Sequence, residues 1–109
     1  KGWSWLAMGQ KRCNNIEGAI KSARKAIELN SEEWIYFYNL ACYIFLKPGD
    51  NREAVSQLKT AINLAKKENG DLEEIIKLLK DDEDLKDFRS LDNEGFSELL
   101  NIANISRFD

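Results

Sequence analysis

Histidine is absent from this chain of 109 residues, and cysteine, methionine and proline are scarce, with two, one and one. Without histidine the commonest general base is missing, and Ser-His and Cys-His nucleophile pairs are excluded. The familiar zinc sets are excluded as well, because Cys13 and Cys42 stand apart and form no CxxC. Phosphate-gripping and nucleophile loops of the forms GxxxxGK[ST], GxGxxG and GxSxG do not occur. The expectation is a protein that is no enzyme and holds neither cofactor nor metal. The acidic string Asp81-Asp82-Glu83-Asp84 with Asp87 invites a calcium loop, but counting from Asp82 places Lys86 at the third ligand position and Asp87 where the turn glycine belongs. A charged turn is the simpler reading. Long apolar runs are also missing: residues 34–46 are interrupted by Asn39 and fall short of the roughly 20 residues a bilayer requires.

Two isolated thiols in a helical chain read as small buried residues, which points to a reducing, cytoplasmic setting. The chain opens on Lys1 with no methionine, so a fragment or processed product is expected. Charge is divided unevenly. Residues 1–67 carry 11 Lys+Arg against 6 Asp+Glu, and residues 68–109 carry 5 against 13. The overall charge of −3 argues against nucleic acid as a partner, while the basic first part suits an acidic one.

What the chain does contain is an internal echo. Ala19, Ala26 and Leu29 recur 35 residues later as Ala54, Ala61 and Leu64, and Trp3 and Leu6 recur 34 residues later as Phe37 and Leu40. The one extra residue falls in the Lys47-Pro48-Gly49-Asp50 turn, where an insertion leaves the apolar faces of the flanking helices in register. Each unit reads as two helices. The first pair is expected at about 2–12 and 16–29, joined and capped by Asn14-Asn15. The second pair begins at about Glu32 with Ser31 as its cap, runs to Leu46, and resumes at Asn51. Its last helix is expected to continue through Lys67 until Asn69-Gly70 stops it. Alanines seven apart on one helix face let a neighbouring helix approach closely.

The pattern Trp3-x-x-Leu6-Ala7, Asn14-Asn15, Ala19-Ile20, Ala26-Ile27-x-Leu29 resembles a tetratricopeptide repeat. So does Phe37-x-x-Leu40-Ala41, Gly49-Asp50, Ala54-Val55, Ala61-Ile62-x-Leu64. Ala7 and Ala41 replace the family's usual glycine, and Ser31 and Lys66 its usual proline. The resemblance implies an all-α fold of antiparallel helical hairpins stacked as a right-handed superhelix, with two tandem repeats over residues 1–69 and capping helices over 70–109. In the last part, Leu72, Ile75, Ile76 and Leu79, then Leu85, Phe88 and Leu91, then Phe96, Leu99, Leu100 and Ile102 supply apolar faces. The string DEDLKDFRSLDNEGFSELL resembles the segment that closes bacterial arrays of this kind.

In this family the first helix of each repeat lines a concave groove. The resemblance therefore implies a peptide-binding face made by Ser4, Met8, Lys11 and Arg12 from the first repeat and Ile35, Tyr38, Asn39, Cys42 and Phe45 from the second. Asn39 stands where an asparagine of the chaperone-tail clamp would stand, but Ser4 and Met8 replace the clamp's lysine and second asparagine, so that ligand is not expected. The expected role is a protein–protein interaction scaffold, monomeric or part of a longer chain. Its partner would be a protein or peptide combining acidic and hydrophobic residues, with no nucleic acid and no membrane. The alternative is a terminal, capping part of a longer repeat protein with no ligand of its own. An exposed apolar face around Trp3, Trp5 and Met8 would mean that something is missing there.

Overall fold

The first chain reversal depends on two asparagines. Asn14 sits at φ 63°, a left-handed conformation that asparagine tolerates better than most side chains. Asn15 follows as the cap, its side-chain oxygen accepting the Gly18 N–H at 3.1 Å. Gly18 leaves room for these side chains: a Cβ there would lie 2.5 Å from Asn15 Nδ2 and 2.7 Å from Gln10 Nε2, so the two amide ends would have to shift. The computed structural model describes residues 2–49, 51–67, 69–91 and 93–108, and among these the regular structure is entirely helical, with no strand. The helices are α1 (Gly2–Arg12), α2 (Ile16–Leu29), α3 (Trp34–Leu46), α4 (Arg52–Ala65), α5 (Asn69–Asp81), α6 (Lys86–Leu91) and α7 (Asn93–Phe108), with a 3-10 turn at Glu83–Leu85 before α6. No helix among the described residues is long and apolar enough to cross a membrane.

Three local expectations are corrected. Ser31 does not cap α3; the cap residue is Glu33, whose side chain makes no capping hydrogen bond, and Asn30 Oδ1 instead accepts the Glu32 N–H at 3.1 Å. The short asparagine side chain closes a local turn two residues on, so the helix starts beyond it. Helix α4 does not run through Lys67 but ends at Ala65, where Lys66 N–H donates to Ile62 O and Lys67 N–H to Leu64 O. Asn69 and Gly70 open α5 instead of stopping α4. At the turn between α3 and α4, Gly49 takes φ 127°, which favours glycine, while Asp50 lies outside the described residues, as does the Leu91 side chain.

Helix α1 packs on α2, α2 on α3 and α3 on α4. The paired alanines Ala19 and Ala54, and Ala26 and Ala61, are all buried where helices meet. Their small size lets aromatic and branched side chains from the facing helix, among them Tyr43, Leu40 and Ile44, fill the space between axes. Beyond α4 the expected apolar sets are used. Leu72, Ile75, Ile76 and Leu79 of α5, Leu85 of the 3-10 turn, Phe88 of α6 and Leu99 and Ala103 of α7 all join one core. Phe88 is the hinge of this closure, stacked on Phe45 at 4.6 Å between ring centres and edge-on to Phe96 at 6.3 Å. Helix α7 contacts both α4 and α5, so the outer side of α4 is covered.

Candidate functional site

Helix α3 is apolar on every side, and only its neighbours decide which residues stay accessible. Tyr38 and Cys42, four apart, lie on the side that faces α1 and the 3-10 turn. Together with Met8, Lys11 and Arg12 from α1 and Ile35 and Asn39 from α3, they line a cleft of about 320 Å³. Seven of the nine residues implied for a groove therefore share one cavity. The other two lie elsewhere. Ser4 borders a closed seam against Ala23, Ala26 and Tyr43. Phe45 is engaged by Phe88 and borders a separate cavity with Asp84 and Asp87.

The cleft contains two further residues that the repeat pattern could not reveal, Asp82 and Asp84. The Tyr38 hydroxyl donates to Asp82 Oδ2 at 2.5 Å, and Lys11 Nζ pairs with Asp84 Oδ2 at 3.2 Å. Asp82 also fixes its own segment, its Oδ1 accepting the Asp84 N–H at 3.0 Å as the cap of the 3-10 turn. One wall of the cleft is thus an acidic segment from the far end of the chain, anchored below by the fully buried Leu85. Its only sequence signal was the Asp81–Asp84 run itself, read as a charged turn, with nothing to say which face it would meet. Tyr43 also borders the cleft. Among the described residues no three acidic or thiol side chains converge in a way that could hold a metal ion.

Electrostatically the floor of the cleft favours neutral groups. Burial pushes the Cys42 thiol up from its ordinary value, and the Asp82 carboxylate adds to that. Burial raises the Tyr38 phenol well above the ordinary tyrosine range, with Cys42 and Asp82 reinforcing it. Tyr43 is pushed up to about 12 for the same first reason. None of the three is poised to ionise near neutrality, so Cys42 is no reactive thiolate. At the rim Lys11 is neutralised by Asp84, whereas Arg12 makes no ion pair among the described residues. The arrangement can hold an apolar side chain against Met8 and Ile35 and offer Asn39 and Arg12 as polar contacts. Compared with known proteins, the chain matches no family model, no curated protein and no solved structure.

Proposed function

We propose that this chain is a protein–protein interaction module of the tetratricopeptide kind, its helical hairpins forming a right-handed stack, that takes a short peptide into the cleft between α1 and α3. One observation carries the reading: that cleft gathers Met8, Ile35, Asn39 and Arg12, which has no ion pair among the described residues, at its opening, over a floor of neutral Tyr38 and Cys42. Such a lining suits a ligand with an apolar anchor beside a carboxylate. Acidic preference rests on Arg12 alone, since Lys11 already has Asp84. The role needs no catalysis and no cofactor, and a reducing, cytoplasmic setting would keep Cys13 and Cys42 as free thiols.

The test is a fluorescence-anisotropy titration of the chain against a labelled peptide array with acidic and hydrophobic residues in every order. Ile35→Ala and Arg12→Gln are both expected to weaken the best ligand, Ile35→Ala more, because desolvated apolar anchors outweigh exposed charges. Binding untouched by either substitution would remove the cleft from consideration.

A further inference from the structure

Asp84 stands between two cavities. It walls the α1–α3 cleft of about 320 Å³ and also lines the neighbouring cavity of about 260 Å³ that Phe45 and Phe88 border. No other described residue borders both. The chain on either side of it is fixed, since Asp82 receives the Tyr38 hydroxyl and Leu85 is fully buried. Its own backbone N–H is held by Asp82 Oδ1 at 3.0 Å. The carboxylate is held less firmly. Its ion-pair partner is Lys11 Nζ at 3.2 Å, and the two side chains keep 23% and 36% of their surface in solvent. Asp84 is thus a pinned backbone carrying a loosely held charge.

We propose, resting on the reading of this cleft as a peptide site, that Asp84 is a built-in competitor for the ligand's acidic group. In the free chain its carboxylate occupies Lys11. A ligand carboxylate takes its place there, and Asp84 turns into the neighbouring cavity beside Lys86. Charge balance is the first reason. Lys11 and Arg12 face Asp82 and Asp84 across the cleft, so the four charges cancel. A carboxylate brought to both cations meets Asp84 at close range, where like charges disfavour one another. Admitting it therefore requires Asp84 to leave.

The second reason is that Asp84 has somewhere to go. Lys86 lines the neighbouring cavity and makes no ion pair among the described residues. Glu83 and Asp87 line it too, and their charge disfavours the move, which is why Lys11 keeps Asp84 while the cleft is empty. Rotation between staggered positions about the Cα–Cβ bond carries the carboxylate across without disturbing the backbone. The cost is one part-exposed ion pair, a weak contact that an incoming carboxylate can replace. The closing segment does not depend on that pair, because Tyr38–Asp82, the Phe45–Phe88 stack and buried Leu85 hold it independently. Asp84 is accordingly a gate on acidic ligands, and the open form offers them Lys11 as well as Arg12.

The experiment is an anisotropy titration with labelled peptides that place one glutamate beside one leucine among glycines, in both orders, and with the same peptides carrying glutamine. Asp84→Asn should tighten the glutamate peptides about fivefold and leave the glutamine peptides unchanged. Asp84→Ala should do the same, so that no new amide contact decides the result. Lys11→Gln should matter little in the parent but cancel the gain in Asp84→Asn, a coupling that a purely structural pair would not show. Lys86→Gln, outside the cleft, should weaken the glutamate peptides by removing the carboxylate's second partner. Glutamate peptides that bind the parent and both Asp84 variants equally overturn the proposal and leave the cleft reading in place. Equal tightening of glutamate and glutamine peptides would make Asp84 a steric wall and also overturns it. If no peptide binds the parent or either Asp84 variant, the cleft reading falls and this proposal with it.

Discussion

Tyr38 and Asp82, 44 residues apart, are joined by a hydrogen bond of 2.5 Å from the phenol to the carboxylate. This contact ties the middle of α3 to the segment that closes the end of the molecule. The two residues differ in what else they do: Tyr38 is buried in the core cluster, whereas Asp82 also caps the 3-10 turn. Tyr38→Phe keeps the ring and removes the hydroxyl that makes the tie and also interacts with Cys42, and should cost about 1.5–3 kcal/mol, the range for a bond to a charged group. Asp82→Ala removes tie and cap together and should cost more. Urea denaturation of the two single variants and the double variant would give the coupling between them, and a coupling near zero would mean the bond contributes nothing to stability.

Alkaline pH should destabilise the fold. Cys42, Tyr38 and Tyr43 are all held neutral in the folded chain, by burial first, at pH values where they ionise in the unfolded one. Their contribution is complete below about pH 8.5 and falls as pH rises, first through the unfolded thiol and then, near pH 10, through the unfolded phenols. Each group that keeps its proton only in the fold lowers stability by about 1.4 kcal/mol per pH unit over its window. Unfolding midpoints measured from pH 8 to 11 should fall with increasing slope, and Cys42→Ala should flatten the part below pH 10. A midpoint constant to pH 11 contradicts this account.

Ala19 of α2 and Ala54 of α4, 35 residues apart in the sequence, are both fully buried. Replacing either by leucine inserts three carbons into a close helix contact and should cost about 1–3 kcal/mol. Thermal melts should show the two variants equally impaired. A variant as stable as the parent would mean that its helix pair can move apart without loss.

The closing segment is held by the ring trio of Phe45, Phe88 and Phe96 and by Leu99. Phe88→Ala and Leu99→Ala should cost about 3–5 and 2–5 kcal/mol, with increased binding of an apolar dye as α4 and α5 lose their cover. Unchanged stability with no dye signal would show that α6 and α7 are not needed to seal the core.

Arg24 and Glu53 join α2 to α4 through two bonds, of 2.5 and 3.0 Å. The Arg24 hydrogen bond holds the Glu53 carboxyl below its ordinary range. Both side chains are nearly half exposed, so the pair should contribute no more than about 1 kcal/mol. Arg24→Lys loses the fork, and its small penalty should disappear at high salt. A larger, salt-independent penalty would show that the guanidinium acts by packing.

Much of the helical layout was legible in the sequence because it is local. Asn14-Asn15 and Pro48-Gly49 mark turns by backbone preference, and Ala19, Ala26, Ala54 and Ala61 mark the close contacts by size and spacing. Helix ends were less legible, as Asn30 and Lys66 show, because competing caps differ by less than neighbouring contacts contribute. The resemblance that implied a groove lined by Met8, Tyr38 and Cys42 put Phe45 there too, and could not foresee that Phe88 would claim it. Nor could it foresee that Asp82 and Asp84 would wall the cleft and take Lys11 from its rim. Helical periodicity is a property of a few turns of chain and determines which side chains share a face. Which face meets which segment was decided by tertiary structure alone, because burying Leu85 and Phe88 against α3 fixes where the acidic turn between α5 and α6 must lie.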